Sequence, residues 1–494
     1  MFELLWSEPT WPLVGAAAMS ILDLVAITLA VLRRRGFSGT LAWIFAILAL
    51  PVVGAIGYFL LANPRVFRTS RVKKAAKRRV RTSRAGRSVA ELEEPEIADL
   101  PSSMRSLLSL SARLTGLSPT RGNALEMLTD NEQAFERIER ALTEAQQSIW
   151  AEYYIIENDA TGRRFLALLA DRARAGVSVK LLYDAVGASG LDRGLLDAIE
   201  QAGGQTAAFL PVNPLQKRWA VHLRNHRKII VVDGDRAFTG GMNIGDMYSG
   251  VGLAGRRRRR RGRRRVRAWR DTHLALEGPA AQDLATVFAE DWCFATDEVI
   301  ALRDVPSIKR VPGACVAILP SGPDQEMNAT SLAYFVAITM SQERCYLTSP
   351  YFVPDEPTLR ALTSAALRGV DVRLLVPSEN DVVLMKYAIR SFYPRLLAAG
   401  VRVYEYQPSV LHAKTIVVDG VWSLIGSANL DVRSFRLNFE VGAVIFDDSF
   451  AGVLEDQFRL DLQKSQEIGE ESVKARGFAQ SLLEGAAQLL SPLL

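Results

Sequence analysis

The chain has 494 residues, 49% hydrophobic and 23% charged, with 60 basic and 54 acidic side chains and a net charge of +6. Such a composition excludes a disordered or fibrous chain. Three cysteines, Cys293, Cys315 and Cys345, without C-x-x-C spacing, point to neither a disulfide framework nor a zinc site and read as buried thiols. The length accommodates about three units at ~150 residues each.

In chain order, the first elements are apolar. Trp11 to Leu32 is a 22-residue stretch whose only charge is Asp23, and Ser38 to Ala62 is a 25-residue stretch with none. Each is long enough to span a bilayer as a helix. Glu3 and Glu8 take the place of a basic n-region, so a cleaved leader fits poorly. Residues 1–64 are therefore expected to form a transmembrane helical hairpin.

Residues 65–120 read as a linker. Arg65 to Arg87 holds eleven Lys or Arg and no acid, and is followed by Glu91, Glu93, Glu94 and Glu96 and then by a Ser-rich stretch. That pattern suits a segment lying on an anionic membrane surface or a solvated tether. The larger basic cluster after the second apolar stretch places the C-terminal bulk in the cytosol, while Arg33, Arg34 and Arg35 in the turn weigh the other way.

The rest repeats itself. Residues 149–187 read as strand, turn, amphipathic helix and a strand after Gly176, and residues 345–381 give the same order with Gly369 before the second strand. Strands alternating with helices imply βαβ units and a mostly parallel sheet in each half. Two similar α/β domains are expected, over 121–310 and 311–494.

Each half carries one motif. HRKIIVVDGDRAFTGGMN contains His226, Lys228, Asp233, Gly240 and Asn243, and HAKTIVVDGVWSLIGSAN contains His412, Lys414, Asp419, Gly426 and Asn429. Asn follows His by seventeen residues in both. Four fixed matches after a given His arise on the order of once in 10⁵ trials at average residue frequencies. The apolar β-branched run reads as a strand, which places His and Lys on one face, and a Gly turn brings the next strand and its Asn alongside.

Two imidazoles, two ammonium groups and two carboxamides suit phosphodiester chemistry. One His attacks phosphorus while the other protonates the leaving alkoxide and later deprotonates the acceptor. Lys228, Lys414, Asn243 and Asn429 are placed to stabilise the equatorial oxygens, so no metal is required.

These residues resemble the HKD motifs of the phospholipase D superfamily, and their surroundings resemble bacterial cardiolipin synthases. The resemblance runs from the N-terminal hairpin to the C-terminus through EYY at Glu152, NHRK from Asn225, GGMNIGDMY from Gly240, WRDTH from Trp269, PYFVPDE from Pro350 and GSANLDVRSFRLNFE from Gly426. It implies two tandem phospholipase D-like α/β domains with mixed β-sheets flanked by helices, behind the membrane hairpin.

It also implies a multi-pass protein of the bacterial inner membrane, with cytosolic catalytic domains and no cofactor. The activity it implies is formation of cardiolipin and glycerol from two phosphatidylglycerol molecules through a phosphatidyl-histidine, with His226 as nucleophile. A hydrolytic phospholipase D is the alternative; a nuclease and a non-catalytic membrane scaffold are the other rivals, and no nucleic-acid partner is expected. Asp233 and Asp419, counted with the catalytic motif, would be structural, and Asp271 and Glu440 would orient the histidines. His273 reads as core packing and His222 as a loop residue.

Arg256 to Arg270 adds eleven Arg without an acid, a lipid-binding loop or a low-complexity expansion. At the end, Phe478, Leu482, Leu483, Ala486, Leu489 and Leu490 recur at helical spacing, which favours core packing over membrane contact.

Overall fold

The structure is a computed structural model, and it describes residues 11–32, 37–61, 65–83, 100–213, 218–220, 222–250, 269–302 and 313–490. The Arg256–Arg265 run lies outside the described residues. Two compact units result, Met1–Thr69 and Ser70–Leu494.

The first unit holds α1 (Trp11–Leu32), α2 (Phe37–Ala49) and α3 (Val53–Leu61). Among the described residues, Val14–Leu32 is the one helix long and apolar enough to cross a bilayer. The expected second span is not one helix. Pro51 has no N–H and its ring pushes Leu50 out of the helical region, and Val52 follows at φ +66°. The Val52 N–H freed by the break is donated to Asp23 Oδ1 at 2.9 Å. The single charge of the first stretch thus caps the start of α3, which meets the demand of an apolar medium that every backbone donor be paired.

The second unit begins inside α4 (Arg65–Ser83), followed by α5 (Ser102–Thr115). A linker was expected here, but the basic residues of α4 meet acids on the body. Lys73 pairs with Asp291, Lys77 Nζ with Asp324 Oδ2 at 2.7 Å, and Arg81 Nε with Glu290 Oε1 at 2.7 Å. These three share one helix stripe at i, i+4 spacing, which holds the segment against the body; residues 84–99 lie outside the described residues.

The first half contributes β1 (Thr120–Leu128), β2 (Ser148–Tyr153), β3 (Ser178–Asp184), β4 (Gln205–Phe209), β5 (Arg224–Asn225), β6 (Ile229–Val232), β7 (Arg236–Gly240) and β8 (His273–Glu277). The second contributes β9 (Ala314–Ser321), β10 (Arg344–Thr348), β11 (Phe352–Val353), β12 (Asp371–Pro377), β13 (Arg402–Tyr406), β14 (Thr415–Val418), β15 (Trp422–Gly426), β16 (Leu430–Asp431), β17 (Asn438–Phe446) and β18 (Ser465–Ile468).

The order β18-β13-β12-β10-β14-β15-β17-β9-β1-β8-β7-β6-β2-β3-β4 reads the same outward from the β9/β1 junction in both directions, apart from the extra edge strand β18. The duplication in sequence is a duplication in topology. The two halves are not separate bodies, because β1 pairs with β9 and their sheets are continuous.

The βαβ units form as expected, through the helices Ala160–Arg174 and Glu356–Leu367, and their strands pair in parallel. Gly176 and Gly369 end the two helices at φ +90° and +92°, a conformation that favours glycine. The sheet as a whole is mixed and not mostly parallel, because the motif strands return by tight turns and must pair antiparallel: β2 with β6, β6 with β7 and β7 with β8 in one half, β10 with β14, β14 with β15 and β15 with β17 in the other. One buried cluster joins Leu276 and Ala281 to Ile318 and Val441, so the halves share a core that fixes their mutual orientation. Cys293, Cys315 and Cys345 are buried thiols, none of them in a disulfide among the described residues.

The C-terminal helix Phe478–Leu490 departs from the core expectation: Phe478 is 85% exposed and Leu489 82%, with Leu482 and Leu483 also open, while Ala487 is buried. Its small side meets the body and its large apolar side does not.

Candidate active site

The motif histidines stand just before β6 and β14, in extended segments outside the strands that sequence periodicity assigned to them. The reason is that each segment pairs with the opposite half. β5 runs parallel to the start of β17, Arg224 against Asn438, and the His226 N–H donates to Phe439 O at 2.9 Å. Arg270 bridges to Leu411, and the His412 N–H donates to Arg270 O at 2.7 Å.

That exchange brings each histidine an acid from the opposite half. His226 Nδ1 lies 2.9 Å from Glu440 Oε2, and His412 Nδ1 lies 2.7 Å from Asp271 Oδ2. Glu440 and Asp271 are fully buried. Burial works to raise both carboxyls, but the imidazole and lysine beside each outweigh it and hold them below the usual range. Burial pulls His226 down to about 4, with Glu440 opposing and Lys228 adding to the shift. Burial likewise lowers His412, joined by Lys414. An ionised carboxylate only accepts, so each neutral imidazole carries its proton on Nδ1 and keeps the Nε2 lone pair for a reacting atom.

Lys228 and Lys414 are buried, and each Nζ donates to the carbonyl of its own histidine, Lys228 to His226 O at 2.6 Å. Burial draws Lys228 to about 7, with Lys414 repelling it, and draws Lys414 to about 8. Both lysines thus titrate near neutral pH, and a bound anion would favour the protonated form of each.

Asn243 is buried; its Oδ1 accepts the Ile155 N–H at 3.3 Å and its Nδ2 donates to Tyr248 Oη at 3.0 Å. Asn429 is buried too, with Oδ1 unpartnered. The motif aspartates lie elsewhere. Asp233 accepts the N–H groups of Gln146, Gln147 and Ser148 at 2.7–2.9 Å, and Asp419 those of Gln342, Glu343 and Arg344 at 2.9–3.0 Å. Both have positive φ, +51° and +53°, and tie the hairpin turn to the strand beside it, away from the histidines.

His273 is fully buried in β8 with neither ring nitrogen hydrogen-bonded, and burial lowers its pKa to about 4. His222 is half-buried in a bend before β5. Among the described residues no group of three or more His, Cys, Asp or Glu side chains is arranged to hold a metal ion.

Several contributors escaped sequence reasoning although their motifs were noted. The Tyr154 ring stands 5.0 Å from that of His226, and Trp269 and Tyr248 stand 5.0 and 5.8 Å from that of His412, centroid to centroid. These rings wall the two imidazoles. Arg227, between His226 and Lys228, is wholly buried: Nε donates to Glu440 O at 3.0 Å, Nη2 to Ser321 O at 3.1 Å, and Nη1 pairs with Asp291. Its only sequence signal is a charge where the second copy has Ala413.

The halves also support their acids differently. Ser427 Oγ donates to Glu440 Oε2 at 2.5 Å. At the equivalent Gly241 an added Cβ would meet Asp271 Oδ1 at 2.0 Å, so the shorter acid requires a glycine there.

Comparison with known proteins agrees with the geometry. A family model described as cardiolipin synthase, PLD-like domain matches residues 138–249 and 334–462, and one described as phospholipase D-nuclease N-terminal matches 21–63. The chain is 37% identical over 472 residues to a cardiolipin synthase of Geobacillus kaustophilus, covering 94% of this chain and 90% of that one. It is 36% identical over 477 residues to cardiolipin synthase A of Pseudomonas aeruginosa, covering 96% and 95%. The crystal structure of a phosphatidylserine synthase from Haemophilus influenzae superposes with a TM-score of 0.58 at 15% identity, over 79% of this chain and all of that one, which speaks to the fold alone.

Proposed function

The chain belongs to the cardiolipin synthase family, and on that premise we propose that it joins two phosphatidylglycerol molecules into cardiolipin and glycerol at the paired His–Lys site. It is a membrane phosphatidyltransferase of that family. The observation that carries the residue assignment is the crossed pairing of His226 with Glu440 and His412 with Asp271, which gives two oriented imidazoles beside two lysines.

In the first step His226 Nε2 attacks phosphorus, the bond from phosphorus to the glycerol headgroup breaks, and protonated His412 gives its proton to the departing alkoxide. In the second, a glycerol hydroxyl of another phosphatidylglycerol gives its proton to His412 and attacks phosphorus, and the phosphorus–nitrogen bond breaks. Atoms and protons balance and His226 is regenerated. The 2.7 Å contact of His412 with Asp271 favours the imidazolium that an acid needs. Lys228, Lys414, Asn243 and Asn429 hold the equatorial oxygens, while Tyr154, Tyr248 and Trp269 favour an alcohol over water as acceptor.

Membrane association follows from the apolar N-terminal helices. We place the chain as a multi-pass protein of a bacterial inner membrane, with α1 as one crossing, α2 and α3 as a broken second one, and the body in the cytosol. The basic run after α3 supports that orientation.

The test is product analysis with purified full-length protein and phosphatidylglycerol. Cardiolipin and glycerol in equal amounts are expected, and both vanish in His226→Ala and His412→Ala. Phosphatidic acid as the only product would overturn the transfer reading.

A further inference from the structure

Helix α4 carries more basic residues than its docking uses. Lys73, Lys77 and Arg81 are neutralised by Asp291, Asp324 and Glu290, and Arg81 Nη2 also donates to Thr115 O at 2.8 Å. Lys74 and Arg78 lie on the neighbouring stripe and are exposed. Across from them stands exposed Arg113, near the end of α5. Arg78 and Arg113 form no ion pair among the described residues, and Lys74 has only a 3.9 Å contact with Glu326, whose side chain is 93% exposed.

These cations line a cleft of about 430 Å³ between α4, the end of α5 and residues 324–327. Its floor and rim are not wholly polar: half-buried Leu114 and exposed Met327 complete the lining. Two carboxylates face it, Asp324, already paired with Lys77, and Glu326 at the rim. None of the residues of the paired His–Lys site is part of it.

We propose that this cleft is a second anionic-phospholipid site, separate from the catalytic one, which holds the phosphate of a bilayer lipid. Arg78, Arg113 and Lys74 bind the phosphate oxygens, and Leu114 and Met327 cover the glycerol backbone. Three cations left without strong partners favour a phosphate as the occupant, and the apolar rim favours a lipid phosphate over nucleic acid. Along the chain, the cleft's helix α4 follows the apolar helix α3 after three residues, a continuity that favours a lipid as the source of the phosphate.

The experiment uses the full chain carrying His226→Ala, so that binding is read without turnover and independently of the catalytic reading. Native mass spectrometry in detergent micelles measures retention of phosphatidic acid, a monoester unable to donate a phosphatidyl group, against phosphatidylcholine. Each basic residue near an anionic surface contributes roughly fivefold in affinity, so Arg78→Ala/Arg113→Ala weakens retention about 30-fold. Arg78→Lys/Arg113→Lys restores most of it, and Glu326→Gln strengthens it; the last substitution keeps the test readable should the alanine variant fail to fold. Unchanged retention in the alanine or Gln variants, equal retention of phosphatidylcholine, or displacement of the lipid by a single-stranded oligonucleotide would each overturn the proposal.

Discussion

Substituting Glu440 by Gln tests the crossed pairing directly, because the acid sits in one half and the imidazole it holds in the other. Oε2 of Glu440 accepts from His226 Nδ1 and Ser427 Oγ, and Oε1 accepts from Asn438 Nδ2 at 3.2 Å. A glutamine keeps its oxygen toward His226 and turns its NH2 toward Asn438. Asn438 Oδ1 has no partner, so a flip of that amide receives the new donor and the fold survives.

What disappears is the charge. A hydrogen bond to a charged group contributes roughly 1.5–3 kcal/mol, about ten- to a hundredfold in rate, and loss of tautomer control raises the ceiling to about 10⁴-fold. The expected outcome is a kcat lowered about 10²–10⁴-fold at unchanged melting temperature, measured as cardiolipin formed in mixed micelles. Adding the substitution to His226→Ala should lower activity no further, since both act through one imidazole. A kcat within about threefold of the parent would refute the orienting role.

The lysines set the pH response. With Lys228 near 7 and Lys414 near 8 in the free enzyme, raising the pH through that window removes their protons, so kcat/KM falls on the alkaline side. On the acid side His226, near 4, stays neutral until well below pH 6, while His412, which acts protonated and is lowered by burial, gains its proton as the pH falls, so kcat/KM does not drop there; a profile that climbs from pH 7 to 9 would contradict this. Asp233→Ala removes the acceptor of three backbone N–H groups, two of them at exposed residues, at roughly 0.5–1.5 kcal/mol per hydrogen bond; thermal melting should drop by a few degrees while the kcat of the folded fraction changes little. Leu482→Ser/Leu489→Ser removes exposed side chains only, so denaturant unfolding should shift by no more than about 0.5 kcal/mol, whereas a core role would cost several times that.

Much of the site was legible because its chemistry is local in the chain. Two copies of His-x-Lys followed at fixed distance by Asn name the candidate reacting groups, and their βαβ surroundings name the fold class. The aspartates of the motif were harder, since proximity in sequence places Asp233 with His226 although the turn carries it away to the backbone of Gln146–Ser148.

The sequence by itself determined the duplication, the apolar N-terminal stretches and the candidate catalytic residues, because these rest on residue type and spacing. Only the tertiary structure decided which acid serves which histidine, since that depends on β5 crossing to β17 between halves that adjoin through β1 and β9. It also decided that residues 70–83 are a docked helix, because their charge finds its partners some two hundred residues away at Asp291, Glu290 and Asp324. Periodicity shows that the last helix has an apolar side, but which side meets the body is a matter of packing, and there Ala487 is buried while Leu489 is exposed.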